Sequence, residues 1–321
     1  MITLIYLDSL SGINYHRVMT PFLRLKHDQG LNIHFIQNFN DLKEFDLTKV
    51  KNLVTTRRVS VSNHQAFKKF LKDNDVKLIL DNDDYWILPS DNPAKEWYKK
   101  VEADNIKNTI KIADEIWSPS KFLIKEMRKI NKSAVYRIVP NTVYTEEKQW
   151  KDIQKDNPKD YKVRFGYLGA NGHQKDLDEM GMTFEDHELY CMNLMDYRDR
   201  LKAKYGINAT DITQYGQLYK FFDVSLSPLK NSKFNRCKSE LKVIEAGFTK
   251  TAIIASNVTP YKEVIKHGET GILCSTPKEW KEAVEGMTLG KAWRLAENLH
   301  KYCKEHYDLS DINKIRLEGL Q

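Results

Sequence analysis

The sequence predicts an α/β protein of two doubly wound, Rossmann-like domains that face each other across a cleft. Three observations carry this expectation. Short β-branched runs alternate with longer amphipathic runs through the first half. One polar stretch interrupts that alternation, and the alternation then resumes towards the end. Strands separated by helices imply βαβ units and a parallel sheet, because parallel neighbours need a crossover connection. A chain of 321 residues is long enough for two ordinary domains.

Taken in order, residues 2–7, 32–37, 51–55, 76–80, 115–117 and 135–139 read as strands, and 16–27, 62–72, 95–112 and 119–130 as helices. Ser118 before Pro119 reads as an N-cap with proline at the first helical position. Residues 141–161 are polar, rich in Lys, Asp and Gln, and contain Pro158, so the linker is expected there. Strands are expected again at 163–168 (ending in Gly169), 223–226, 251–255 and 271–274, with helices at 239–248 and 260–267. Thr276, Pro277 and Glu279 form a capping box that starts another helix. The stretch 185–208 shows no strong strand, although a doubly wound sheet calls for one there. The expected division is a first domain over 1–145, a linker over 146–161, a second domain over 162–290, and terminal helices over 291–321 that pack back on the first domain.

Composition narrows the class. Hydrophobic residues make up 41% and charged residues 30%, which suits a folded core and not a disordered chain. No apolar stretch approaches the roughly 20 residues that span a bilayer. The apolar start reaches Asp8 too soon for a secretory signal and has no basic lead. Cys191, Cys237, Cys274 and Cys303 are scattered without a paired spacing, so neither a zinc site nor a disulfide framework is indicated, and a cytoplasmic setting is the simplest expectation. A formal charge of +7 favours anionic partners without choosing among nucleotide phosphates, nucleic acid and a membrane surface.

The segment Lys238-Ser-Glu-Leu-Lys-Val-Ile-Glu245 carries the strongest chemistry. Ser239 reads as an N-cap. Lys238, Lys242 and Glu245 recur at i, i+4 and i+7 on a face different from that of Leu241, Ile244 and Phe248. A helix start offers free N–H groups and positive potential to a diphosphate, two lysines add charge, and a carboxylate can hold two ribose hydroxyls. The plainer alternative is a surface helix with charge pairs one turn apart. Asp81-Asn-Asp-Asp84 after the fourth strand has three readings: a divalent-metal cluster, a capped turn, or a site for an acceptor hydroxyl built on Asp83 and Asp84. His173 follows a strand-terminal glycine and could polarise a sugar hydroxyl or cap its own loop. Trp86, Trp97 and Trp117 could form an acceptor platform, although core packing is the commoner use.

The run from Ala246 to Leu273, with Ser256, Tyr261, Gly268 and Gly271, resembles the retaining family 4 (group 1) glycosyltransferases and their relatives, phage-type members included. The likeness extends upstream to Phe222-Asp-Val-Ser-Leu-Ser-Pro-Leu229, to Phe234–Ser239, and to Phe165–Gly169 with His173 and Asp176. In the first half it takes in Gly12 with Tyr15-His16-Arg17, Ala113–Ser120 and Val139-Pro-Asn141. This resemblance implies a GT-B fold and a nucleoside-diphosphate-sugar donor, with UDP favoured. It implies donor contacts from Gly12, Arg17, Gly169, Lys175, Lys238, Ser239, Lys242 and Glu245, catalysis near His173, Asp83 and Asp84, and no metal or other cofactor. Two departures stand out. Cys237 occupies the position, eight before Glu245, where an acidic residue is usual, and Asp81–Asp84 replace the usual histidine.

The expected activity is retaining transfer of a sugar to an acceptor hydroxyl. The acceptor is a glycan, a lipid-linked sugar, or a hydroxymethylated base of DNA. A DNA acceptor predicts a basic channel and steep salt dependence. A lipid-linked one predicts an apolar, lysine-fringed patch on the first domain. The alternative of another class is a non-catalytic nucleotide-binding module, which the Cys237 departure favours.

Overall fold

The computed structural model describes residues 1–321 except 8, 10, 91, 93, 152, 156–161, 170–172, 174 and 193–196. The chain divides into two units. The first comprises Met1–Thr142, Cys237–Ser239 and Leu309–Gln321, and the second Val143–Arg236 and Glu240–Asp308.

The first unit holds a six-stranded parallel sheet: β1 (Ile2–Tyr6), β2 (Ile33–Ile36), β3 (Val50–Thr56), β4 (Lys77–Asp81), β5 (Glu115–Ser118) and β6 (Val135–Ile138). Their spatial order is β2-β1-β3-β4-β5-β6. Leu4, Leu53 and Leu78 bury on one face with Val59 and Leu71, while Ile5, Val54 and Ile79 bury on the other with Phe22 and Trp117. Burial on both faces explains why these strands read as continuous apolar runs rather than alternating ones. Helix Thr20–Gln29 ends on Gly30, whose φ of 66° lies in the left-handed region.

The second unit holds a matching sheet: β7 (Arg164–Tyr167), β8 (Glu188–Met192), β9 (Tyr205–Ile207), β10 (Val224–Ser227), β11 (Ala252–Ser256) and β12 (Ile272–Cys274). All pairings are parallel, in the order β12-β11-β10-β7-β8-β9. Strands β8 and β9 fill the stretch where the sequence showed no strong strand. Leu189 and Cys191 bury on one face while Tyr190 lies half-buried on the other and stacks on Tyr205, 4.5 Å between ring centres. The strand is short and holds no β-branched residue, so it is quiet in sequence.

Four expected elements differ. β5 runs through Ser118, and the helix after it is capped by Ser120, whose hydroxyl accepts the Leu123 N–H at 3.2 Å. The expected helix over 95–112 breaks at Glu102 into Lys95–Val101 and Ala103–Ile112. The expected helix over 260–267 is a single tight turn, Tyr261–Glu263, after which the Lys266 N–H is taken by Thr270. The stretch expected as linker carries Val143 and Trp150 into the second unit's core. There the Gln149 amide oxygen accepts the Gly216 N–H, and Lys155 Nζ donates to the Tyr219 and Phe222 carbonyls at 3.0 and 2.7 Å. The capping box at Thr276 is present as read: Thr276 Oγ accepts from Glu279 N, and Glu279 accepts from Ser275 N.

The last helices divide between the units. Helix Leu289–His306 packs in the second unit against helix Leu241–Phe248 and β11. Helix Leu309–Leu320 belongs to the first, where Asn52 and Lys77 donate to the carbonyls of Leu320 and Gly319 at 2.9 and 2.6 Å.

Candidate functional site

In parallel sheets the loops at the carboxyl ends of strands are where ligands bind, and both units place polar side chains there. In the second unit β7 runs into Leu168 and Gly169. A Cβ at Gly169 would lie 2.2 Å from the Tyr167 hydroxyl, so only glycine fits against that ring. Part of the following loop lies outside the described residues. Beyond it, His173 Nδ1 is 2.6 Å from Asp176 Oδ2, and the His173 N–H donates to the Tyr197 hydroxyl. The other Asp176 oxygen accepts the Lys230 N–H at 2.9 Å and Asn235 Nδ2 at 2.7 Å. Asp176 thus ties the loop after β7 to the loop after β10. Lys175 is exposed in the same turn.

The segment after β10 departs from the expected geometry. The helix begins at Leu241 with Glu240 as its N-cap and no side-chain cap, so Ser239 is not the cap and Lys238 precedes the helix. Lys238 and Ser239 group with the first unit, where Lys238 Nζ is 3.6 Å from Asp84. Glu245 is not on an exposed face but 2% exposed. Its Oε2 accepts from the Tyr219 hydroxyl at 2.8 Å and from Lys242 Nζ at 3.1 Å. Lys242 also contacts the Tyr215 hydroxyl and lies 4.7 Å from the centre of that ring. Burial opposes its charge, but Glu245 and Tyr215 hold its pKa above the ordinary lysine value. The helix is buried nearly all round because Gly247 lets it approach helix Leu289–His306: a Cβ there would sit 2.3 Å from Cys303 Sγ.

In the first unit, Gly12 opens a short turn, Gly12–Asn14, capped by the Ser11 hydroxyl. A π-turn, Tyr15–Met19, then carries Arg17 inward. The guanidinium is 1% exposed and clasps both Asp81 oxygens at 2.7 and 2.9 Å, while its third nitrogen donates to the Val139 carbonyl and Asn141. Arg17, expected at the donor, is therefore a buried strut joining the ends of β1, β4 and β6; only so paired is a buried arginine tolerable. Past Asp81 the chain presents Asn82, Asp83 and Asp84. Oδ1 of Asp83 and Oδ1 of Asn82 are buried and have no hydrogen-bond partner among the described residues. Burial, reinforced by Asp84, pushes the Asp83 carboxyl up to about 7. Arg57 lies beside them at the end of β3 with a φ of 60°, a conformation rare for a side chain of its size. Of the three tryptophans considered as a platform, Trp86 and Trp117 are buried and only Trp97 is exposed.

Residues 192–288 match the family model described as glycosyl transferases group 1. The structure resembles Anabaena HepE in complex with UDP and glucose, with TM-score 0.60 and 12% identity over 100% of this chain and 99% of that one. It also resembles the lipopolysaccharide outer core galactosyltransferase WaaB in its apo form, with TM-score 0.61 and 14% identity over 99% of each chain. For sucrose-phosphate synthase from Thermosynechococcus elongatus the values are 0.60 and 13%, over 84% of this chain and 72% of that one. The chain has the GT-B fold. No curated protein matches the sequence.

The group 1 segment of this GT-B chain holds Lys238, Ser239, Lys242 and Glu245, together with Tyr215, Tyr219, Lys230 and Asn235. Sequence reasoning gave no role to Tyr215, Tyr219 or Asn235, and met Asp176 only within a family pattern. Their contacts reach 26 residues from Tyr219 to Glu245 and 59 from Asp176 to Asn235. No local periodicity reports such distances.

Proposed function

We propose that this GT-B chain transfers a sugar from a nucleoside-diphosphate sugar, with UDP favoured, to an acceptor hydroxyl, with retention and without a metal. The observation that carries the reading is that the group 1 match falls on the segment holding Lys242 and Glu245. The complex of HepE with UDP-glucose supports a uridine donor.

Lys238, Lys242 and the helix start at Leu241 offset the charge that develops on the departing diphosphate, the usual largest contribution to such transfers. Glu245 takes the ribose hydroxyls, with Tyr219 and Lys242 orienting its carboxylate. Gly169 keeps the loop after β7 close to the phosphates, Lys175 adds a cation there, and Gly12 lets the loop after β1 come close to the donor. His173, oriented by Asp176, hydrogen-bonds a sugar hydroxyl. Asp83 and Asp84 serve the acceptor. Retention follows if the departing phosphate oxygen takes the acceptor proton on the same face, so no protein nucleophile is needed.

The test is thermal-shift binding of UDP, GDP, ADP and CDP and their sugar conjugates to the wild type, to Glu245→Gln and to Glu245→Ala. UDP or its sugars should stabilise the wild type, and both variants should bind at least about ten-fold more weakly, the loss of hydrogen bonds to a charged group. A folded wild type that responds to none of these ligands would sink the donor reading.

A further inference from the structure

The stretch expected as a linker also forms one wall of a cleft. Side chains from residues 146–151, from the loop 210–214 after β9 and from the turn Tyr215–Phe221 enclose about 810 Å³ within the second unit. Small-molecule sites span roughly 300–1,000 Å³. The walls are tied together. The Gly216 N–H donates to the Gln149 amide oxygen at 3.1 Å, and Gln217 Nε2 donates to the Lys148 and Gln149 carbonyls at 3.2 and 3.0 Å. A Cβ at Gly216 would lie 2.6 Å from the Gln149 carbonyl oxygen, so only glycine lets the two segments meet this closely. Across the cleft, Asp211 closes its own loop by accepting the Thr213 N–H and hydroxyl at 2.9 and 2.7 Å. The turn has two sides. Tyr215 and Tyr219 reach Lys242 and Glu245, whereas Gln217, Leu218, Lys220 and Phe221 line the cleft. The cleft is therefore separate from the proposed donor site.

We propose that this cleft holds a small anionic carbohydrate, with Lys148 and Lys220 on its acidic group and Gln214, Gln217 and Phe221 on its hydroxyls and ring. The charge balance selects an anion. The acidic groups at the cleft are spent, Glu146 on Lys151 at 2.9 Å and Asp211 inside its loop. Lys148 and Lys220 line the cleft, and among the described residues neither has an ion-pair partner. The remaining polar groups suit hydroxyls. Gln214 keeps its amide nitrogen, since only its oxygen is engaged, by Thr210 at 3.4 Å. Gln217 spends its nitrogen on the linker and keeps its oxygen, so one amide donates and the other accepts, as a polyol requires. Phe221, under the Lys220 amine at 5.1 Å, offers apolar ring surface to the C–H face of a sugar. A phosphate and a carboxylate supply the same charge to the two lysines. The site does not depend on the donor reading.

The experiment is calorimetric titration of the full chain with glucose 6-phosphate, glucuronate, glucose and inorganic phosphate. At least one of the two anionic sugars should bind, and which of them binds more tightly identifies the acidic group. Glucose and phosphate should each bind at least about ten-fold more weakly, because each makes only part of the contacts. Lys148→Ala and Lys220→Ala should each weaken the anionic sugar about ten-fold, the loss of one hydrogen bond to a charged group, with melting temperature unchanged. Saturating UDP and the Glu245→Gln substitution should leave its affinity as it is. Four results overturn the proposal: no binding of either anionic sugar at millimolar concentration, equally tight binding of phosphate or of glucose alone, unchanged binding by both lysine variants, or displacement of the sugar by UDP. The last would place the sugar at the donor site. Failure of UDP to bind would bear only on the donor reading.

Discussion

At the scale of single residues, Asp83 has the most unusual environment. An acid whose folded pKa lies above its unfolded value of about 4 holds its proton more tightly when folded. Its contribution to stability is therefore greatest below pH 4 or so and declines as pH rises towards about 7. Asp83→Asn removes that decline. Melting temperatures of wild type and variant should agree near pH 4, and the variant should melt a few degrees higher at pH 8, as about 1 kcal/mol moves the midpoint of a chain this size by about 2–4 °C. Parallel curves across that range would show that the orphaned oxygen is hydrated and relaxed. Residue types in this region were legible as chemistry: four consecutive polar side chains, Asp81 to Asp84, after a buried strand. Their division of labour was not. Asp81 is consumed by Arg17, 64 positions away, while Oδ1 of Asp83 is left without a hydrogen-bond partner among the described residues.

At the scale of elements, helix Leu241–Phe248 shows how packing overrides a local pattern. Its sequence supports an amphipathic surface helix, yet Val243 through Phe248 are all buried. The reason lies on helix Leu289–His306, whose Leu299 and Cys303 close over Gly247. Gly247→Ala places a Cβ against Cys303 and should cost about 1–3 kcal/mol by overpacking. Because the helix must shift to make room, the Lys242–Glu245 pair shifts with it. A lower melting temperature should come with weaker UDP binding, and calorimetric titration would show both. The Gly247→Ala, Cys303→Ala double variant should recover most of the loss, since it returns the volume. Strand positions were the most legible elements, because a two-sided buried strand is an unbroken apolar run. The quiet β8 was missed because it is short and holds no Val, Ile or Thr.

At the scale of the molecule, the chain returns to its first unit at its end. Helix Leu309–Leu320 buries Ile312, Asn313, Arg316 and Leu320 there. Among the described residues Arg316 has no carboxylate paired with it: it donates to Asn313 and to the Arg17 carbonyl, and burial together with the Arg17 charge lowers its pKa to about 9. Gly319 is required where a Cβ would strike Trp117 at 2.6 Å. Ending the chain after Asp308 removes these contacts, at roughly 1.5–3 kcal/mol for each buried aliphatic side chain. Hydrogen exchange should then show lost protection in β1, β3, β4 and β5, with the strands of the second unit still protected. Unchanged protection in the first unit would mean that the helix is dispensable packing.

The sequence by itself determined the class of fold, the positions of most strands, and the segment in which the nucleotide chemistry is proposed. The first two are written in short-range patterns of apolar and polar residues, and the third in the resemblance of its motifs to the family 4 glycosyltransferases. Only the tertiary structure decided which charges are spent and which remain. The Arg17 clasp on Asp81, the Tyr219 bond to Glu245 and the Asp176 tie to Asn235 all join residues far apart in sequence. A buried charge is stable only with the partner that the fold brings to it, and the order of residues along the chain does not name that partner.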